Sequence, residues 1–413
     1  MKEATPRRRG DGMPPEDATP RRRGDGMPPE DATPRRRGDD RPAEDTTPRR
    51  RTADRLTVGY LHLGRAGSGV RRYGRVLAEA AARRPDLAVI EADPGDRDVS
   101  LGDVRRAARR LDAADVVHIQ WKPPDWGGRY ASLPRLEVFL AACRRPLVVT
   151  LHDVYPRVGW RDRVVDGGAI GLRRLGIGAA RVVVHAQEER RRLEGMVPDA
   201  KVEVVPHFVE ERPPLGDPET ARRELDTGLE GRRVITLLGF MTRRKGHRLV
   251  LEAMSALPAD VVALFVGSPI EGREARGAEL EAYAGRLGVA DRVRFLGYVP
   301  EERLSTVLAV TDVAVCPFRD MSASGAVSTW ISTGRPIVAS DLPAFREYEQ
   351  LVPGSLRIFS PLTAEAFGAA VRDVLDAGGP LVDPAVDRLR RLLATPRTLD
   401  RYLDVYRAAV GRR

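Results

Sequence analysis

Short apolar runs rich in β-branched residues alternate with Arg- and Ala-rich stretches of helical period, and this alternation occurs twice in one chain. Residues 56–62, 116–120, 147–151, 181–185 and 202–206 have the length and composition of buried strands. Helical patterns at 70–83, 101–112, 133–143 and 188–196 separate them. Apolar strands spaced by helices form a parallel sheet covered on its faces. A loop rich in Pro, Asp and Glu at 209–220 interrupts the series. It resumes with strands at 234–238, 261–266, 293–296, 313–316 and 337–340 and helices at 246–257, 275–287, 301–306 and 325–332. The expected fold class is α/β, with two similar parallel-sheet domains and a cleft at the carboxyl ends of both sets of strands, where ligands of open α/β sheets bind.

Before residue 55 the chain repeats itself. Residues 4–17, 18–31 and 32–45 are three copies of Ala-Thr-Pro-Arg-Arg-Arg-Gly-Asp-x-x-Pro-x-Glu-Asp, and a fourth begins at Thr46 and stops after Arg51. A repeat with almost no apolar content has no face to bury against its neighbour, so residues 1–52 are expected to form a disordered arm rather than a solenoid. Its Arg triplets leave two readings open: a solvated tail in which nearby acids cancel the arginines, or an electrostatic tether to phosphates. The chain as a whole has 413 residues and a net charge of +10. That length excludes a peptide hormone, and that charge suits nucleic acid, anionic lipid or a phosphorylated ligand without choosing among them. Cys143 and Cys316 sit in separate apolar runs, which argues against a disulfide framework or a Cys-based zinc site and fits a reducing cytoplasm. With neither an apolar leader nor a run of about 18 apolar residues, the chain is expected to be neither secreted through a signal peptide nor membrane-spanning.

Four segments have residues suited to chemistry. Gly64-Arg-Ala-Gly-Ser-Gly69 follows the first strand and opens a helix; its glycines let backbone approach a phosphate or sugar, or simply make a tight turn. Its spacing departs from the dinucleotide pattern, which disfavours a nicotinamide enzyme. His152 and Asp153 end a central strand, where the imidazole faces the cleft and Asp153 can fix its tautomer or bind substrate. Arg243, Arg244 and Lys245 stand at the start of the helix beginning at Gly246. Cations there oppose the helix macrodipole unless an anion such as a diphosphate neutralises both. Ser322, Ser324 and Gly325 precede another helix and suit either an anion-binding nest or an ordinary N-cap. On the acceptor side, Trp121, Trp126 and Tyr155 lie just past strand ends, placed to stack on an acceptor, with core packing as the alternative for Trp121.

The order of these motifs resembles the retaining nucleotide-sugar glycosyltransferases of the GT-B fold, in the broad group called family 4. The matching segments are Gly67-Ser-Gly-Val-Arg-Arg-Tyr73, Val149-Thr-Leu-His152-Asp, Val204-Val-Pro-His-Phe-Val209, Leu238-Gly-Phe-Met-Thr-Arg-Arg-Lys245-Gly, Val293-Arg-Phe-Leu-Gly-Tyr-Val-Pro300, and Ser324-Gly with Gly334-Arg-Pro-Ile-Val-Ala-Ser340. The resemblance implies two Rossmann-like domains, acceptor on the first and nucleotide sugar on the second. It implies the division 1–52 for the arm, 53–212 and 213–395 for the domains, and 396–413 for a final helix packing back on the first. Two acids that family members carry eight positions apart are Met321 and Thr329 here, and the Arg often found after the first Gly of the basic loop is Phe240.

These readings combine into an expected cytoplasmic glycosyltransferase. It moves a sugar with retention from a nucleoside-diphosphate donor to a hydroxyl acceptor, without metal or cofactor. His152, Lys245 and Arg244 are its candidate catalytic residues. Gly67, Gly69, Arg243, Tyr298, Ser322, Ser324, Gly325 and Thr329 are the candidates for binding the donor. The acceptor is a glycan, a lipid-linked sugar or a small molecule. Peripheral contact with the inner membrane face is allowed by the charge, and no nucleic-acid partner is expected. The rival readings are a GT-B relative with epimerase or phosphorylase chemistry, a degenerate member that only binds ligand, and a nucleic-acid-binding protein using the Arg-rich arm.

Overall fold

A computed structural model describes residues 55–411 apart from 97, 155–167, 226–227, 271 and 323; the repeats and Tyr155 therefore lie outside the described residues. The first domain is a six-stranded parallel sheet in the order β2-β1-β3-β4-β5-β6. Its strands are β1 (Leu56–Leu61), β2 (Leu87–Ala92), β3 (Val116–Trp121), β4 (Leu147–Leu151), β5 (Arg181–Val184) and β6 (Val202–Val204). Between them lie α1 (Gly69–Ala82), α2 (Leu101–Leu111), α3 (Gly128–Ala142), α4 (Gly168–Gly178) and α5 (Gln187–Arg192). The second sheet is also parallel and six-stranded, in the order β12-β11-β10-β7-β8-β9. It contains β7 (Arg233–Leu238), β8 (Val261–Val266), β9 (Val293–Gly297), β10 (Val313–Cys316), β11 (Ile337–Ser340) and β12 (Arg357–Phe359). Its helices are α6 (Pro218–Leu225), α7 (His247–Met254), α8 (Ala275–Arg286), α9 (Glu301–Val310), α10 (Gly325–Thr333), α11 (Pro343–Leu351), α12 (Ala364–Asp376) and α13 (Pro384–Leu392).

Central strands β3, β4 and β8 are buried along their whole length, β8 as a continuous apolar run and β3 and β4 with the polar side chains His118, Gln120 and Thr150 enclosed among apolar ones. The last helix, α14 (Thr395–Ala409), covers one face of the first sheet. Leu399, Tyr402, Leu403 and Tyr406 join Val58, Tyr60, Tyr73 and Val148 in one cluster. Each of these large side chains removed from water contributes about 1.5–3 kcal/mol.

The chain passes between the domains twice, near Val209 and near Ala394, and the two passages pair with each other. Val209 N–H donates to the Leu393 carbonyl at 2.8 Å, and Thr395 N–H donates to the Val209 carbonyl at 3.2 Å. Among the described residues, no helix is long and apolar enough to cross a membrane.

Candidate active site

In the second sheet, β8 and β10 lie on opposite sides of β7, so the loops leaving β7 and β10 diverge and open a crevice at their carboxyl ends. The loop after β7 carries the basic residues, and the loop after β10 carries the serines. Lys245 bridges them. Its Nζ lies 3.3 Å from Ser324 Oγ and 3.7 Å from the centre of the Phe318 ring. Gly246 permits this approach: it has φ 79°, and a Cβ there would stand 2.1 Å from the Pro317 carbonyl oxygen. Burial, with repulsion from the Arg244 guanidinium, pulls the Lys245 ammonium down to about 8.

Ser324 is the N-cap of α10, yet its side chain makes no capping bond, so the first-turn N–H groups beside Gly325 have no side-chain cap. Thr329 lies one turn further along the same helix, partly buried. Met321, at one of the acid positions, is buried in the core cluster around Trp330. Arg243 and Arg244 are exposed in the turn Arg243–Lys245. Arg243 lines a cavity of about 250 Å³ together with Thr242, Arg273 and Arg276. Tyr298, just past β9, is 74% exposed, and Phe240, just past β7, is 59% exposed.

Ser322 occupies a different place from that expected of an anion donor. Its hydroxyl lies 2.9 Å from the His152 carbonyl oxygen, accepts from Val154 N–H at 3.2 Å and bonds the buried Glu189 carboxylate. It ties the donor-side loop to the first domain. Glu347 of α11 makes a second tie, accepting from the Gln187 and Glu188 N–H groups at 2.9 and 3.2 Å. Helix α5 has no cap of its own, so its N-terminus is capped across the domain seam.

His152 follows β4 and sits at this seam, 5% exposed, with ring centres 4.9 Å from Tyr73 and 5.2 Å from His185. Burial, then the neighbouring His185 and His207, hold its pKa well below that of a free imidazole. Its hydrogen-bond partner is Gln120, with His152 Nε2 2.8 Å from Gln120 Oε1, and not Asp153, whose carboxylate faces Lys122 at 3.5 Å.

Near the glycine loop, Ser68 caps α1 through the Val70 and Arg71 N–H groups and donates to Asp125 at 2.9 Å. Gly64 has φ 116°, and a Cβ there would crowd Asp125. A Cβ on Gly67 or Gly69 would meet nothing within 4 Å, so the fold itself does not demand glycine at either position. Trp126 is fully buried and donates from Nε1 to the Gln120 carbonyl at 2.8 Å, and Trp121 packs beside it. Both are core residues: Trp121 is the last residue of β3, and Trp126 packs edge-on against Phe139 of α3 in the same apolar cluster.

The structure thus strings Lys245, Ser324, Ser322 and His152 along one short stretch of the seam. Gly67 and Gly69 remain on the first domain and Tyr298 on the rim of the second. Sequence reasoning missed Gln120, Glu189 and Glu347. Only Gln120 left a signal: it shares a strand face with His118 at the two-residue period.

Comparison with known proteins agrees with the two-sheet α/β fold. Residues 36–212 match Glycosyltransferase Family 4, and residues 232–377 match Glycosyl transferases group 1. A D-inositol 3-phosphate glycosyltransferase of Acidothermus cellulolyticus is 30% identical over 319 residues, covering 72% of this chain and 68% of the relative. A 2-deoxystreptamine N-acetyl-D-glucosaminyltransferase of Streptomyces fradiae is 28% identical over 52% of this chain. The chain spans about half the length of the first curated relatives it matches, 55% and 51%. Among solved structures, Anabaena Alr3699/HepE in complex with UDP-glucose superposes with a TM-score of 0.64 at 16% identity, covering 84% of this chain and 99% of that one. Sucrose-phosphate synthase of Thermosynechococcus elongatus gives 0.64 at 17% identity, covering 86% of this chain and all of the other.

Proposed function

Because this chain belongs to the family 4 glycosyltransferases of the GT-B fold, we propose that it transfers a sugar from a nucleoside-diphosphate donor to a hydroxyl acceptor, with retention of configuration and without a metal. The observation that carries the reading is Lys245 set against Ser324 at the crevice between β7 and β10. Breaking the bond from the anomeric carbon to the phosphate oxygen leaves charge on the diphosphate. Lys245, the exposed Arg244 and the first-turn N–H groups of α10 are suited to meet it there. The acceptor oxygen forms the new bond to the anomeric carbon, and its proton passes to the leaving diphosphate. The His152 side supports sugar contact, because a neutral imidazole at the seam can hydrogen-bond a hydroxyl without competing for the diphosphate.

The donor is supported by the fold shared with a protein solved with UDP-glucose, and with Met321 and Thr329 in place of the two acids that family members carry, the donor is held here without those carboxylates. The rival reading of a binding-only member draws on those same two positions. Thermal shift with a panel of nucleotide sugars, followed by transfer assays with the stabilising donor, separates the two. Stabilisation by one donor together with release of nucleoside diphosphate supports transfer. Stabilisation with neither transfer nor hydrolysis leaves a binding protein, and no shift with any donor removes the proposal.

A further inference from the structure

Behind His152 lies a continuous chain of buried polar side chains that ends on the last helix of the protein. Gln120 Nε2 is 3.2 Å from His118 Nε2, and Thr150 Oγ1 is 2.8 Å from the same nitrogen. His118 Nδ1 is 2.8 Å from the Tyr406 hydroxyl, which is 3.0 Å from that of Tyr60. Thr150 Oγ1 is 3.1 Å from the Tyr402 hydroxyl, which is 2.9 Å from that of Tyr73. Every member is buried. In such a place an unmet donor or acceptor is costly, so the protons are arranged jointly and not one by one.

The amide of Gln120 sets the direction. With its oxygen toward His152, the amide nitrogen donates to His118 Nε2, which is therefore unprotonated. His118 then carries its proton on Nδ1 and donates to Tyr406. Thr150, 2.8 Å from His118 Nε2, shares the single lone pair there as a second donor, which leaves its own oxygen to accept from Tyr402. At the other end, His152 must carry its proton on Nε2 to donate to Gln120 Oε1. Turning the amide over reverses the chain and moves the His152 proton to Nδ1, so the two imidazoles change tautomer together. Helix α1 passes close by the side chain that carries the amide: a Cβ on Gly74 would lie 3.1 Å from Gln120 Cγ.

We propose that Tyr402 and Tyr406, acting through Thr150, His118 and Gln120, are positioning residues that hold His152 as its Nε2–H tautomer and keep Nδ1 free to accept a hydrogen bond from a substrate hydroxyl. The tautomer assignment stands on the hydrogen-bond chain alone, and the substrate contact rests on the glycosyltransferase reading.

The experiment is long-range ¹H–¹⁵N correlation on the full chain labelled with ¹⁵N-histidine, with transfer kinetics on the same samples. In the unaltered protein His152 should give the Nε2–H pattern and His118 the Nδ1–H pattern. In Tyr406→Phe, which deletes the acceptor for His118, both imidazoles should shift together toward mixed tautomers. The kcat should then fall tenfold or more, with donor KM within about twofold, since a wrongly presented imidazole is felt in turnover. Gln120→Glu keeps an acceptor for His152 but removes the donor to His118, so it should move His118 most and provides a second variant should Tyr406→Phe fold poorly. An Nδ1–H pattern for His152 in the unaltered protein, His152 signals unchanged in Tyr406→Phe, or a His118 that keeps its Nδ1–H pattern in Gln120→Glu overturns the proposal. Shifted tautomers with unchanged kcat support the relay and instead remove the role given to His152 in transfer.

Discussion

Lys245 reaches Ser324 across 79 residues of sequence, its Nζ 3.3 Å from the serine hydroxyl, so one cation closes the crevice between the two loops of the switch point. Charge on the leaving diphosphate grows toward the transition state, and this contact should therefore be stronger there than in the bound donor. Lys245→Ala should lower kcat/KM by on the order of 10²-fold, and Lys245→Arg should recover only part of it, because a planar fork does not replace a compact ammonium. Steady-state transfer rates with circular dichroism as a folding control check this. Full activity in Lys245→Ala would show that the diphosphate sits elsewhere.

The depressed Lys245 pKa gives a pH signature. The ammonium is the useful form and is lost above about 8 in the free protein, so kcat/KM should fall on an alkaline limb near that pH. In Lys245→Arg the limb should disappear, since guanidinium stays charged. The effect on stability has the opposite sign. The unfolded chain holds this proton up to about 10.4 while the folded chain releases it near 8. The unfolded state thus binds more protons across that window, and this group's contribution to stability rises with pH there. A profile of kcat/KM that stays flat to pH 9.5 would refute the assignment.

Gly246 offers a structural test of the same crevice. A methyl at this position meets the Pro317 carbonyl at 2.1 Å with φ at 79°, and the obstacle is backbone that cannot rotate away. Gly246→Ala should cost about 1–3 kcal/mol and separate the two loops, raising donor KM. Gly67→Ala, where a Cβ meets nothing, should leave stability within about 0.5 kcal/mol. Equal melting temperatures for Gly246→Ala and the unaltered protein would contradict this.

Much of the fold was legible because most of its strands are short runs dominated by buried β-branched residues. The runs that become β3, β4, β8 and β10 need no context to be recognised. What escaped notice was held by packing and not by local preference. Helix α4 reads Gly-Ala-Ile-Gly-Leu-Arg-Arg-Leu-Gly-Ile-Gly, a sequence that favours a loop, yet Gly171 lets it press against Trp121, where a Cβ would lie 2.8 Å from the indole. Strands β2 and β12 lie at sheet edges, the first broken by Glu91 and the second only three residues long. At the site, Lys245 was visible because three cations at a helix start call for an anion. Gln120 was hidden in an apolar strand, and its relation to Tyr406 passes through His118, 288 residues away from that tyrosine in sequence. Trp126 was misplaced because a residue beyond a strand end reads as cleft-facing until the turn that buries it is known.

The paired passages at Val209 and Ala394 have a mechanical consequence. Two tethers that run side by side and hydrogen-bond to each other define a single axis, as two leaves share one pin. A parting of the domains about that line would separate Ser322 from Glu189 and Glu347 from Gln187. Sliding of one sheet past the other would tear the Val209 bonds first. A pin in that place would bring the donor-side loop back to the same height against His152 after such a swing, so the register of the two halves of the site is set by the crossing and not by the loops.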